Sequence, residues 1–237
     1  MHTDGLSTID RDCCLSVDPE RAPLTAILTS CNEASLLPGA LSGIAFCDEI
    51  IVVEVCSDGD ESAAVAARFG ARFVRHAHMP IVEAVRSSVA PTARHDLLLL
   101  TDPDERIPPE LARRVVELVH ELPDDVAVVE APLQFYFAGR RLRGTVWGGE
   151  NKRRLLVRRS AVELLPTIWT GIRLHDGYRI LTLPFTAETA IEHRWAEGWR
   201  DLLVKHRRYL AREPGDRAAA GEITGLQNVA QIGRAHV

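Results

Sequence analysis

"LLLLTDPDERIPPEL", residues 97–111, decides how the rest of the chain is read. Four leucines make an apolar run too short for a helix, and three acids, Asp102, Asp104 and Glu105, follow almost at once. Pro108 and Pro109 come next, where prolines suit the first turn of a helix. "ELARRVVELVHEL" (110–122) then carries apolar residues at helical spacing. The stretch reads as strand, acidic turn, helix. A strand apolar at every position is buried on both faces, as in a parallel sheet covered by helices.

Working outward, the same alternation recurs. "LTAILTS" (24–30), "EIIVVEV" (49–55) and "ARFVRH" (71–76) read as further strands. Between them, "EASLLPGALSGIAF" (33–46) reads as a helix kinked near Pro38 and Gly39, and "SDGDESAAVAARFG" (57–70) as a loop and a helix closed by Gly70. "PIVEAVRSSVA" (80–90) is predicted to be a third helix. The second half has a different texture. "VAVVEAPLQFYFAGRRLRGTVWGG" (126–149) alternates enough for two strands about the "AGRR" turn, and "KRRLLVRRS" (152–160) reads as another strand. The fold class predicted is α/β, a mostly parallel sheet flanked by helices, with a mixed-sheet second half.

At 237 residues the chain is expected to form one domain over 23–212, divided into halves 23–122 and 123–194 and a terminal helix, 195–212. Residues 1–22 are expected to be flexible. Residues 213–237 are expected to be a tail, of which "IGRAHV" (232–237) matches one reading frame of a common sequencing adapter and is set aside. Lys and Arg total 28 against 33 acids, a net charge of −5, so no nucleic-acid partner is expected. No apolar run reaches the roughly 18 residues a membrane helix needs. The first 23 residues lack the apolar core of a signal peptide. The five cysteines include the adjacent Cys13 and Cys14 and show no metal-ligand spacing, so reduced thiols and a cytoplasmic location are expected.

In an open α/β sheet, ligands bind beyond the carboxyl ends of the strands. Asp102, Asp104 and Glu105 sit at such an end, as do Asn32-Glu33 after the first strand and Glu54 at the end of the second. Carboxylates converging there repel one another unless a cation lies among them. Hard oxygen donors suit Mg²⁺ or Mn²⁺, which commonly use one or two carboxylates and substrate phosphates. The structural reading is that the acids cap the helix at Pro108 and meet its positive end, and for Glu105 and Glu110 that reading is preferred.

The ordered series "LTAILTSCNE", "DEIIVVEVCSDGDES", "ARFV", "AVRSSVA" and "LLLLTDPDERIPPEL" resembles family 2 glycosyltransferases of the GT-A fold, and within them the bacterial lipopolysaccharide-core β-glucosyltransferases. A weaker likeness continues through "RRLLVRR", "RLHDGYRI", "IEHRW" and "KHRRYL". The resemblance implies that Asn32, Glu33, Glu54, Asp58, Arg86 and Asp102 contact a nucleotide sugar, and that Asp104 binds the metal. Glu54 stands where the family has Asp, and Ser87 where it has Asn after the Arg. It also implies that His175 is a further metal or diphosphate contact and Asp176 the general base, the alternative for Asp176 being a β-turn with Gly177. Implied partners are a nucleoside-diphosphate sugar, with UDP-sugars favoured, and a glycan or lipid-linked acceptor. Arg153 and Arg154 could face an acceptor phosphate or lie on a solvated face. The terminal helix could contact a membrane surface peripherally or dock on its own domain.

Other classes fit less well. A nucleotidyltransferase would show a Gly-rich loop after the first strand, which "ILTSCNEASLL" lacks. An aspartyl-phosphate phosphohydrolase needs its D-x-D after the first strand, not the fourth. A non-catalytic nucleotide-sugar or lipid-carrier binding module of the same fold stays open, and binding without turnover would distinguish it.

Overall fold

The apolar runs form the centre of a sheet: β1 (Ala22–Ser30), β2 (Cys47–Glu54), β3 (Arg72–Arg75) and β4 (Leu97–Thr101) lie parallel in the order β3-β2-β1-β4. The structure is a computed structural model and describes residues 21–56, 61–77, 82–143, 149, 151–165, 171–207 and 210. The 1–22 segment, but for its last two residues, and the 213–237 tail expected from the sequence lie outside these.

Alternating side chains divide each central strand between two cores. Ala26, Leu28, Val52 and Leu99 pack with Leu41 of α1 (Leu37–Gly43), Val65 of α2 (Ser62–Arg68) and Leu111 and Val115 of α4 (Pro109–Glu121). Ile27, Ile51, Val53, Leu98 and Leu100 face the other way, against Val85 and Val89 of α3 (Val82–Val89). Each wholly buried leucine contributes about 2 kcal/mol, so the apolar runs themselves fix the layering. Pro38 does not kink a longer helix. It occupies the first turn of α1, where its missing N–H costs no hydrogen bond. Gly70 ends the α2 turn with φ of 67°, as its place predicted.

The second half adds a mixed edge. β8 (Asn151–Arg158) lies antiparallel to β4, and β6 (Val126–Phe137) antiparallel to β8. β6 turns into the short β7 (Arg140–Arg141) through Ala138 and Gly139, both at positive φ, as a two-residue hairpin turn requires. β9 (Val162–Leu164) and β10 (Ile172–Leu174) form a separate antiparallel pair. β11 (Arg179–Thr182) and β12 (Ile191–Ala196) lie parallel to β6. A helix over residues 199–207, here α5, follows β12.

The acidic turn forces one more feature. After β4 the chain re-enters the sheet at once as β5 (Glu105–Arg106), which pairs with β12 at the far end of the order β4-β8-β6-β12-β5. Four strand spacings in a flat sheet would be about 19 Å. The four steps from Thr101 to Glu105 reach at most about 14 Å. The sheet must therefore curl around the turn, and strands from both halves line it.

Among the described residues, no helix is long and apolar enough to cross a membrane. Cys31 and Cys56 are disulfide-bonded, which corrects the expectation of reduced thiols throughout. The pairing of Ser30 with Glu54 in the ladder brings the segments just beyond β1 and β2 together, with the two Cα atoms 4.8 Å apart. Cys47 is free and buried, and burial pushes its thiol up.

Candidate active site

The parallel register brings the ends of β1, β2 and β4 to one edge: Ser30 pairs with Glu54, and Leu28 with Thr101. Asn32 leaves β1 in the left-handed conformation, φ 55°, which asparagine tolerates better than most residues. Its backbone N–H donates to Glu54 Oε1 (3.1 Å), and Cys56 N–H donates to the same oxygen (3.0 Å). One carboxylate oxygen thus gathers the loops after β1 and β2. The other, Oε2, is buried and without a hydrogen-bond partner. A buried acceptor left unpaired costs about 1–3 kcal/mol, which a ligand donor would recover.

Asp102 through Glu105 form a tight turn, Glu105 N–H donating to Asp102 O (3.1 Å). Glu105 is almost wholly buried and organises this turn from inside: Oε2 accepts from the Thr101 hydroxyl (3.1 Å) and Asp102 N–H (3.0 Å). Arg153, reaching in from β8, lies 2.8 Å from Glu105 Oε1 and donates to Asp102 Oδ2 (2.9 Å). Arg86 on α3 donates to Asp102 Oδ1 (2.6 Å) and Thr101 O (3.2 Å). Burial pushes the Glu105 carboxyl up, against the pull of Arg153. Arg106 ties the turn to the neighbouring loop, donating to Pro103 O (2.6 Å), Glu105 O (2.9 Å) and Leu36 O (3.1 Å). Gly39 leaves room for this guanidinium, because a Cβ there would collide with it.

Asp104 faces different company. Its carbonyl accepts from Arg194 N–H (2.8 Å), fixing the residue against β12. Its Oδ2 lies 3.2 Å from His193 Nε2 and 3.4 Å from Lys205 Nζ. The His193 ring stacks on Phe135, their centroids 4.9 Å apart. Burial works to raise the Asp104 carboxyl, but His193 and Lys205 outweigh it and hold it at about 2. For His193, burial opposes the charged ring, and the bond to Asp104 prevails, raising it. Glu33 is pushed up to about 7 by burial and then by the charge of Asp104.

The structure therefore brings together Asn32, Glu33, Glu54, Arg86, Asp102 and Asp104. Asp58 lies outside the described residues. His175 and Asp176 are not brought to this edge. They form an exposed turn, Tyr178 N–H donating to His175 O (3.3 Å) across Gly177 at φ 86°. The turn runs into β11, which starts beside Val126 at the amino end of β6, whereas β5 stands level with Gln134 through β12. Eight residues of strand, roughly 25 Å, separate the two levels. The turn with Gly177 is thus the physical reason for "HDG" here. Glu105 is no helix cap either: Pro108 is the N-cap of α4, and Glu105 points into the turn. Arg153 holds Asp102 and Glu105, and Arg154 donates to Ile172 O (3.2 Å).

Sequence reasoning assigned no role to His193 or Lys205. Their segments, "IEHRW" and "KHRRYL", carry only a weak likeness, and nothing local to either places it beside residue 104.

A divalent ion at this edge would find two donors together, the Asp104 carboxylate and the His193 imidazole. Among the described residues, no three His, Cys, Asp or Glu side chains are grouped to hold a metal. The pair fits an ion that arrives with substrate phosphates rather than one caged by protein.

A parallel sheet edge that gathers a D-x-D turn, an Asn-Glu loop and a buried acid lies where open α/β sheets hold their ligands. A profile described as Glycosyl transferase family 2 matches residues 25–174, more than half of the chain, and the chain belongs to that family. Among solved structures, it is similar to S. aureus TarS at 15% identity and TM-score 0.51, over 71% of this chain and 36% of TarS. It is likewise similar to TarS 1-349 in complex with UDP, at 15% identity and TM-score 0.51, over 71% of this chain and 59% of that one. Likeness at that identity shows the GT-A fold, and the chain spans less than two thirds of either protein. Glucosyl-3-phosphoglycerate synthase from Mycobacterium tuberculosis matches at 18% identity over 49% of this chain and 44% of its own, with a TM-score of 0.39 too slight to argue from.

Proposed function

We propose that the protein is an inverting glycosyltransferase that moves a sugar from a nucleoside-diphosphate sugar to a hydroxyl of a cell-envelope glycan, lipid or similar acceptor, with Mg²⁺ or Mn²⁺ assisting. The observation that carries this reading is the convergence of Asn32-Glu33, Glu54 and the Asp102–Asp104 turn at one sheet edge in a family 2 domain. The unpaired Oε2 of Glu54 supports a role in accepting a base or ribose donor. UDP, present in the TarS 1-349 structure, is the favoured nucleotide. The motif pattern supports a place near the lipopolysaccharide-core β-glucosyltransferases.

In this reading Asn32 and Glu33 border the nucleotide, and Asp102, pinned by Arg86 and Arg153, holds the turn so that Asp104 faces the diphosphate. Asp104 and His193 would hold the ion, which supplies charge neutralisation to the departing diphosphate. The sugar leaves through an oxocarbenium-like transition state, and one displacement by the acceptor hydroxyl inverts the anomeric centre. Trp199, Leu203, Val204 and Leu210 are large apolar side chains exposed on and just beyond α5, which supports a peripheral membrane contact for a lipid-linked acceptor. The same reading sets the chain on the cytoplasmic side, where reducing conditions act on the Cys31–Cys56 bond.

A second reading, a nucleotide-sugar or lipid-carrier binding module without turnover, is favoured by one observation: Asp176, the expected base, stands at the other end of the sheet. Calorimetric titration of UDP, GDP and their sugars, with Mn²⁺ and with chelator, tests the first reading against wild type and Asp104→Ala. Metal-dependent binding lost in the variant, together with sugar transfer in an acceptor screen, is the expected result. Binding without transfer leaves the module. No binding by folded wild type removes both.

A further inference from the structure

Lys205 is a long cation on a helix outside the span that matches the family, yet its ammonium is aimed at the centre of the site. It donates to Trp195 O (2.7 Å) and, more loosely, to Asp104 Oδ2 (3.4 Å). The side chain is 14% exposed, so this is no solvated surface lysine. Two things hold it in place. The carbonyl of Trp195, on β12, anchors the ammonium from one side, while Trp199 at the start of α5 packs on Phe137 of β6, ring centroids 4.8 Å apart. Lys205 also lies across α5 from the exposed Trp199 and Leu203, as a hundred degrees per residue predicts. The helix thus presents its cation inward and leaves Leu203 and Val204 exposed.

An ammonium beside Asp104 cannot be indifferent to what binds there. With no nucleotide present, it and His193 neutralise the carboxylate. A divalent ion on Asp104 would repel the ammonium, leaving it to Glu33, which burial pushes toward its neutral form, and to the diphosphate. We infer that Lys205 is a diphosphate-binding residue of the donor site, supplied by the terminal helix, that pairs with Asp104 in the free protein and with the leaving phosphates when the nucleotide is bound. A compact ammonium on a flexible stem suits this exchange better than a fixed guanidinium fork.

This inference rests on the reading of the site as one for a nucleoside-diphosphate sugar. The test uses the full chain with Mn²⁺ and titrates UDP and GDP, with uridine and guanosine as competitors that lack phosphates, against wild type, Lys205→Met and Lys205→Arg. The expected result is a loss of tenfold or more in diphosphate affinity in Lys205→Met, from removal of a charge-assisted bond. Nucleoside affinity should be unchanged, and Lys205→Arg should recover most of the loss. Equal weakening of diphosphate and nucleoside in Lys205→Met would make the lysine a support for the helix and overturn the inference. So would diphosphate binding at wild-type strength in that variant. If wild type binds none of these nucleotides, the underlying reading fails and takes this one with it.

Discussion

Asp102 and Asp104 stand two residues apart on one turn and are held in opposite ways. Asp102 points inward to two guanidinium groups, Arg86 from α3 and Arg153 from β8, at 2.6 and 2.9 Å. Asp104 points to an imidazole and an ammonium at 3.2 and 3.4 Å, both carried by segments beyond residue 174, where the family match ends. Guanidinium–carboxylate pairs at such distances are rigid, whereas a lysine at 3.4 Å exchanges readily. The difference teaches that one acid of the D-x-D is locked into the framework, while the other is held by partners that can let it go.

The largest expected effect breaks the Asp102 side. Arg153→Met leaves Glu105, almost wholly buried, without its cation and removes one of the two partners of Asp102. Losing one member of a buried pair costs about 3–5 kcal/mol. In a chain of this size that lowers Tm by about 10 °C, measurable by thermal unfolding at pH 7. A fall of only a degree or two would show that Arg153 is not what braces the turn, and the contrast between the two acids would collapse.

Next in size is the acid limb of the Asp104 side. Its carboxyl is held at about 2 in the folded protein, below the ordinary aspartate value near 3.9. A depressed folded value means stability that is present above the unfolded value and lost as pH falls through the folded one. Between about pH 5 and pH 2, in metal-free buffer, wild type should therefore lose about 2 kcal/mol relative to Asp104→Asn. Denaturant unfolding of both proteins across that range gives the difference directly. A gap that stays constant would mean that His193 and Lys205 do not stabilise the Asp104 charge.

The two acids also differ in how far the sequence announced them. The apolar runs of β1, β2 and β4, each ending in acids or amide, made the parallel sheet and its loaded edge legible, because burial and charge are local properties of residue type. Pro108-Pro109 marked the start of α4 for the same reason. What gathers around Asp104 was not legible. His193 reaches it only because β12 lies parallel to β6 and antiparallel to β5, and no periodicity in "IEHRW" encodes that register. Asp176 shows the converse. "HDG" carries the residue types of a base and a ligand, but Gly177 at positive φ makes it a turn, and the β11–β6 register sends it to the far end of the sheet. The Cys31–Cys56 pair, 25 residues apart, likewise depended on the β1–β2 register rather than on spacing.

The smallest effect sharpens the comparison by reading the Asp104 pair from its other end. His193 is raised by Asp104 against the cost of its burial, so its contribution runs opposite in sign to that of the acid. A raised folded value means stability fully present below the unfolded value, near 6.5, and lost as pH rises through the folded one. His193→Gln keeps a donor near Asp104 but cannot become charged. In metal-free buffer at pH 6 it should be less stable than wild type by about 1 kcal/mol, the worth of a charge-assisted bond over a neutral one. The two should converge as pH rises through the folded value, since the wild-type ring then loses its charge. Together with the acid limb, this bounds the Asp104–His193 pair on both sides, as a plateau from about pH 4 to beyond pH 6.5. A His193→Gln difference that persists unchanged to pH 9 would mean that the ring stabilises β12 through its stacking on Phe135 alone, and that Asp104 has only Lys205 for a counter-charge.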